Sequence, residues 1–129
     1  MVKSFPEMQA EILEVNTAVG WAGPGSPDKT FGDCMMLLVT EVAEAMEAYR
    51  KWGTDDATSI TAEFDTRNGS FYPERYPLPK PEGVGSELAD VFIRLLDDCA
   101  RYGVDLEVEY ERKLAYNRTR EFRHGGKLL

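Results

Sequence analysis

Two short acidic motifs are the residues of this 129-residue chain best suited to chemistry. The first is Glu41-Val42-Ala43-Glu44 and the second is Glu87-Leu88-Ala89-Asp90. Residues three apart in a helix lie on one face with their Cβ atoms about 5–6 Å apart, so the two carboxylates of each motif can converge. Hard divalent cations prefer oxygen ligands, and four carboxylates from two facing helices would therefore form a metal site.

The surroundings of Glu41 favour a functional role for the first motif. On a helical wheel its neighbours are small or apolar, namely Leu37, Ala48, Cys34 and Ala45. An unpaired buried carboxylate is costly, so Glu41 is expected to pair with a cation, to be protonated or to bind a metal. For the second motif alone, a solvated helix face with an Asp90–Arg94 ion pair is the simpler interpretation.

The residue types restrict the metal and the chemistry. His124, the single histidine, lies in the C-terminal tail, and neither acidic motif contains one. A di-iron bundle typically uses a Glu-x-x-His motif on each of two helices, whereas carboxylates without imidazole suit Mg²⁺ or Mn²⁺. The sequence also lacks a nucleophile elbow and a Walker-type phosphate loop, which gives no support to serine-hydrolase or P-loop chemistry.

A donor-rich stripe follows near the C-terminus. Lys113, Asn117 and Arg120 are spaced i, i+4 and i+7 and project to one side of a helix. Close to carboxylate-bound metal ions, such a stripe would suit a polyphosphate. Taken alone, basic residues near the end of a helix simply complement its dipole.

The hydrophobic periodicity predicts four helices that would position these residues. They cover residues 7–20, 30–52, 86–102 and 106–118, with Ser86 and Asp105 as N-caps of the last two. Residues 34–39 are apolar all round and are expected to be buried on several sides. The predicted fold class is therefore all-α, a four-helix-type bundle forming a single domain over residues 1–129.

A long irregular insertion separates helices two and three. Residues 53–85 contain four Gly and four Pro, too many for a regular helix or a central strand. Within them Asn68-Gly69 lies between Ile60–Phe64 and Phe71-Tyr72, which is typical of a hairpin, and an ordered loop fits equally well. Loops of this length are usually functional or mobile, so the segment either covers the site or is a surface or oligomer-contact insertion.

The composition limits the classes of partner. The chain has 15 Lys plus Arg against 23 Asp plus Glu, a net charge of −8, which argues against a protein that tracks DNA or RNA by neutralising phosphates. A nucleotide ligand stays open because metal ions can stand between an acidic site and phosphate, although the charge can equally serve solubility. Cys34 and Cys99 are expected to be reduced core thiols. Without a long apolar run or a signal-type start, we expect a cytoplasmic protein and no membrane partner.

At its two acidic motifs and its donor-rich stripe the chain resembles the MazG-like, all-α nucleoside triphosphate pyrophosphohydrolases. The ordered set is Glu41-x-x-Glu44, Glu87-x-x-Asp90 and Lys113-x-x-x-Asn117-x-x-Arg120, and the resemblance covers roughly residues 7–52 and 85–120. It implies hydrolysis of a (deoxy)nucleoside triphosphate to the monophosphate and pyrophosphate. It also implies a homodimer or tetramer, and Mg²⁺ held by Glu41, Glu44, Glu87 and Asp90, with Mn²⁺ as a substitute.

Roles for individual residues follow from this resemblance. Glu44, with Glu41, would act on a metal-polarised water that attacks phosphorus. Lys113, Asn117 and Arg120 would hold the triphosphate. The expected substrate contacts also include Trp52, which would stack on the base, and Lys127 with His124, which would clamp phosphate from the tail.

The chain departs from the family pattern at two places. Many members have an adjacent Glu-Glu in the first motif, and here the first of these positions is Thr40. If that carboxylate activates water in relatives, another residue does so here. The gap from Glu44 to Glu87 is also longer than usual, and the inserted segment is expected to cover the site or to build the base pocket with Trp52 or Tyr72.

Two other functions compete with this interpretation. The first is an acidic helical interaction module without catalysis, its carboxylates paired with Arg94 and Arg101. The second is a related hydrolase of a phosphoribosyl nucleotide, which would share the metal site and differ in the pocket.

Overall fold

The described part of the structure is built from helices. It is a computed structural model that describes residues 2–54 and 81–129. Within those ranges it contains five helices: α1 (Phe5–Ala18), α2 (Phe31–Trp52), α3 (Val84–Arg101), α4 (Leu106–Arg118) and α5 (Arg123–Gly126). The all-α class predicted from the sequence is confirmed. None of the helices in the described ranges is long and apolar enough to cross a membrane.

The chain divides into two compact units. One comprises Met1–Ser26 and Leu96–Leu129, and the other comprises Pro27–Leu95. The boundary therefore falls within α3, whose first two-thirds belongs to the second unit. The predicted hairpin and Tyr72 lie outside the described residues, and the single domain over residues 1–129 stays a prediction.

The first two helices begin with reciprocal capping boxes. The Thr30 backbone N–H donates to Asp33 Oδ2 at 2.8 Å, while the Asp33 N–H donates to the Thr30 hydroxyl at 3.1 Å. Ser4 and Glu7 form the same arrangement at the start of α1. These bonds satisfy N–H groups that a helix end leaves without intrahelical partners. Hydrogen bonds from the Thr30 backbone and hydroxyl hold the pKa of Asp33 below its usual value.

The N-caps predicted for α3 and α4 have different outcomes in the structure. Asp105 caps α4 as predicted, its carboxylate accepting from the Val108 N–H at 3.0 Å. Ser86 does not cap α3, because the helix already begins at Val84. The Ser86 hydroxyl donates backwards to the Pro81 carbonyl at 3.3 Å, so it ties the first turn of α3 to the segment before it.

The apolar start of α2 is buried on one side only in the single chain. Cys34 is 2% exposed, whereas Met36 is 62% exposed. The expectation that residues 34–39 are buried on several sides is therefore wrong for the chain alone. Five exposed apolar residues recur every three or four positions along α2, and we call them the α2 stripe: Met36, Val39, Val42, Met46 and Tyr49.

The unit containing α1 and α4 has its own buried centre. Leu96 is fully buried, and its carbonyl accepts a hydrogen bond from Gln9 Nε2 at 3.2 Å, which links α1 to α3. Cys99 is also buried, and burial with the neighbouring Asp98 raises the pKa of its thiol. Cys34 and Cys99 are both thiols rather than a disulfide, as predicted.

The capping box of α2 yields a stability prediction. Thr30→Ala should lower the free energy of unfolding by about 1 kcal/mol at pH 7, because the Asp33 N–H loses the Thr30 hydroxyl as its acceptor and the Asp33 carboxylate loses that hydroxyl as a donor. Since the pKa of Asp33 is lowered in the folded state, its contribution is present above its unfolded pKa and is lost as pH falls through the folded pKa. Urea unfolding at pH 7 and pH 3 measures both effects. A wild-type advantage that grows on acidification would contradict the assignment.

Candidate metal centre

Three carboxylates meet between α2 and α3. One oxygen each from Glu41, Glu44 and Glu87 lies within 4.8 Å of the other two. Glu41 and Glu44 are one turn apart on α2, and Glu87 comes from the first turn of α3. Glu41 is buried, Glu87 half-buried and Glu44 exposed, so the group extends from the interior of its unit to the surface. We call these three residues the carboxylate triad.

Arg94 accounts for the burial of Glu41. Glu41 is only 8% exposed, and its Oε1 accepts a hydrogen bond from Arg94 Nε across the two helices. This charge-assisted bond compensates a carboxylate that would otherwise be buried without a partner. The sequence had suggested an Arg94 pair with Asp90 on its own helix. The pair of Arg94 with Glu41 joins two helices and residues 53 positions apart in the chain.

Asp90 is the predicted ligand that does not join the triad. It lies three residues after Glu87 on α3 and is exposed. The group of mutually close carboxylates in the described residues contains Glu41, Glu44 and Glu87 without it. The structure thus brings together three of the four predicted ligands.

A cleft of about 200 Å³ opens beside the triad. Its lining consists of residues from α2 and from the start of α3: Glu44, Glu47, Ala48, Lys51, Trp52, Glu82 and Glu87. Trp52 is 38% exposed, and Lys51 Nζ lies 5.6 Å from its ring centroid in a cation–π contact. Two triad members and the predicted base-stacking residue therefore border the same space.

Thr40 lies outside this arrangement. Its hydroxyl donates to the Leu37 carbonyl at 2.6 Å, one turn back on its own helix. Glu47 and Glu82 bring further carboxylates to the cleft. Sequence reasoning overlooked Glu47 and Lys51, although their spacing of three and seven residues after Glu44 places them on the same face of α2.

The donor-rich stripe lies in the other unit. Lys113 Nζ and Arg120 Cζ each lie 5.7 Å from the ring centroid of Tyr116, so both cations contact the same aromatic ring. Asn117 is exposed on α4 together with Lys113, whereas Arg120 follows the end of that helix at Arg118, so the three residues do not share one helix as expected. In the tail, Lys127 is exposed and follows a short turn over Arg123–Gly126.

The donor set of the triad fits a hard divalent cation. All three side chains offer carboxylate oxygens, the ligands that Mg²⁺ and Mn²⁺ prefer. The triad also already accepts one cation of the chain itself, the guanidinium of Arg94. Glu41, Glu44 and Glu87 are therefore the residues that would hold a metal.

Comparisons with family models, with curated proteins and with solved structures found no match to this chain.

The triad geometry predicts saturable binding of divalent cations. Titration with Mg²⁺ or Mn²⁺ should stabilise the wild type and raise its melting temperature. At a free metal concentration one hundred times Kd, the stabilisation should be about 2.7 kcal/mol. Glu87→Gln should lose this shift because it removes one charged ligand. Glu111→Gln, which changes the same charge at an exposed site on α4, should keep it. An equal shift in both variants would place metal binding elsewhere.

Proposed function

We propose that the protein is a Mg²⁺-dependent nucleoside triphosphate pyrophosphohydrolase. The observation that carries the proposal is the triad of Glu41, Glu44 and Glu87 beside a cleft that contains Trp52. The ordered motifs of the sequence, which resemble those of the MazG-like enzymes, supply the reaction class. The products would be a nucleoside monophosphate and pyrophosphate.

The different exposures of the triad residues suggest different roles in binding the metal and in orienting water. A bound Mg²⁺ would polarise water and neutralise charge on the phosphate oxygens. Glu41, fixed by Arg94, has the role of a rigid ligand, whereas Glu44 is exposed and borders the cleft. Glu44 would orient the attacking water and accept its proton as the water oxygen bonds to phosphorus. The anhydride bond to the leaving group breaks in the same step.

Substrate contacts are proposed for the residues that the sequence predicted. Trp52 presents a partly exposed indole in the cleft, which suits stacking on a nucleobase. Lys113 and Arg120, gathered around Tyr116, together with Asn117 would hold phosphate oxygens. Lys127 is proposed as a further phosphate contact, and Asp90 as a fourth metal ligand.

A non-catalytic interaction module is the second candidate. The ion pair of Glu41 with Arg94, and that of Asp97 with Arg101 at 3.5 Å, are the pairings that such a module would use to neutralise its acids. It would have no need of a metal. A phosphoribosyl-nucleotide hydrolase would share the triad and differ in its substrate, so product analysis separates all three functions.

Self-association is proposed from the α2 stripe. Met36, Val39 and Met46 are each more than half exposed on one helix. Such a continuous apolar surface marks an interface in many soluble proteins. A second copy of the chain is the proposed occupant, giving a homodimer or a tetramer.

The reaction can be tested by product analysis. A panel of (d)NTPs and a phosphoribosyl nucleotide should yield pyrophosphate, rather than orthophosphate, from the triphosphates only when Mg²⁺ is present. Glu41→Gln should lower the rate by about 100-fold or more, equivalent to roughly 3 kcal/mol in the barrier. The matched variant Glu111→Gln should keep wild-type turnover.

Two outcomes would count against the enzyme. Retained turnover in a folded Glu41→Gln variant would remove that carboxylate from the mechanism. A folded wild-type protein that releases no product from any substrate would favour the interaction module.

The interface can be tested by light scattering. The wild type should have a mass above that of one 14.6 kDa chain. Met46→Glu should shift it towards the monomer, because it would bury a charge in an apolar contact. Val2→Glu, at an apolar residue that is 94% exposed near the N-terminus, is the control. A wild-type monomer would contradict the proposal.

A further inference from the structure

The Glu41–Arg94 pair places a cation of the chain itself on one member of the triad. Arg94 Nε donates to Glu41 Oε1, while Glu44 and Glu87 supply the two neighbouring carboxylates. Arg94 differs from the other arginines of the described ion pairs. Arg50, Arg101 and Arg112 each pair within their own helix, at three or four residues' distance, with acids outside the triad.

We propose that Arg94 competes with the divalent cation for Glu41. In the metal-free protein its guanidinium holds the buried carboxylate, and it thereby lowers the affinity of the triad for metal. The inference rests on the proposed metal site, and it adds a residue that sets the affinity of that site. Arg94 is a positioning residue here, because it acts through Glu41 rather than on the substrate.

The electrostatics of the triad favour this role. Three carboxylates whose oxygens lie within 4.8 Å of one another repel each other, and Glu41 is also desolvated. One guanidinium reduces both costs, so the triad is stable before a metal arrives. A divalent cation held by Glu41 would lie within a few ångströms of that guanidinium, and like charges so close repel. Metal binding must therefore weaken the contact or displace Arg94.

The exposure of Arg94 makes such a displacement feasible. Its side chain is 37% exposed, whereas that of Glu41 is 10% exposed. The buried carboxylate is thus the fixed partner and the guanidinium the partner with access to water. A long arginine side chain can keep its charge solvated while its carbon stem stays packed. Turning outwards would leave Glu41 to the metal.

Mn²⁺ binding to an Arg94→Met variant tests the inference. Methionine keeps much of the length and packing of the stem while it removes the charge. Electron paramagnetic resonance of free Mn²⁺ measures affinity without any enzymatic assay. We expect Arg94→Met to bind Mn²⁺ about tenfold more tightly than the wild type, because the repulsion is gone. Its metal-free melting temperature should fall, and Mn²⁺ should restore more of it than in the wild type.

Arg112→Met is the matched control. It removes the same charge from an exposed pair with Glu109 that is confined to α4. Its Mn²⁺ affinity should stay within twofold of the wild type. An equal gain in both variants would show a general effect of net charge and would overturn a specific role for Arg94.

The results separate this inference from the proposed function. Equal or weaker Mn²⁺ binding in folded Arg94→Met, with wild-type binding and hydrolysis intact, overturns the competition alone. Binding by Arg94→Met and not by the wild type supports the competition and counts against the proposed enzyme. Binding by neither protein overturns both.

A measurement on the wild type covers the case in which Arg94→Met fails to fold. The NMR resonance of the Arg94 Nε–H group, assigned by its loss in Arg94→Lys, reports directly on the contact with Glu41. Mg²⁺ should shift this resonance and speed its exchange with water. An unchanged resonance under conditions that saturate the metal site would overturn the competition.

Discussion

Burying the carboxylate of Glu41 is the constraint on which the candidate site depends. A charged group that is 8% exposed between two helices is stable only with a partner, and Arg94 supplies one from the facing helix. The pair therefore fixes α2 and the first part of α3 in register with each other. That register is also what brings Glu87 to Glu44, since both acids belong to the same two helices. The packing of the two helices and the geometry of the candidate site thus depend on the same side chain.

Local signals in the sequence predicted most of the helical framework. The glycines after α2 and α3 and the Asp105 cap lie where helix ends were expected, because capping depends on neighbouring residues. The prediction that Ser86 caps α3 was wrong. Its hydroxyl donates to the Pro81 carbonyl, and that contact depends on the path of the preceding chain. A pairing of the acidic motifs with Arg94 was expected of an interaction module, but the sequence did not indicate which carboxylate Arg94 contacts. Spacing within a helix favours Asp90, whereas contact with Glu41 depends on how two helices pack.

The candidate site shows the same limits. Spacing of three residues predicted each acidic pair, yet the distance between pairs belongs to tertiary structure, and Asp90 stays outside the triad. The cleft adds Glu47, Lys51 and Glu82, two of which follow from the periodicity of α2. The α2 stripe shows a further limit of the sequence pattern. An all-apolar run was interpreted as buried, but the single chain leaves much of α2 exposed, and that exposure is the observation on which the proposed interface rests.

The two indoles of the chain determine how the protein can be observed optically. Trp52 is 38% exposed in the cleft, and Trp21 is 56% exposed after α1. Because both rings are already partly exposed in the folded state, unfolding changes their exposure less than it would for fully buried rings. Helical circular dichroism is the better measure of unfolding. The emission of Trp52 depends on its neighbour Lys51 and on any molecule that enters the cleft. Tryptophan fluorescence is therefore a local probe of the candidate site.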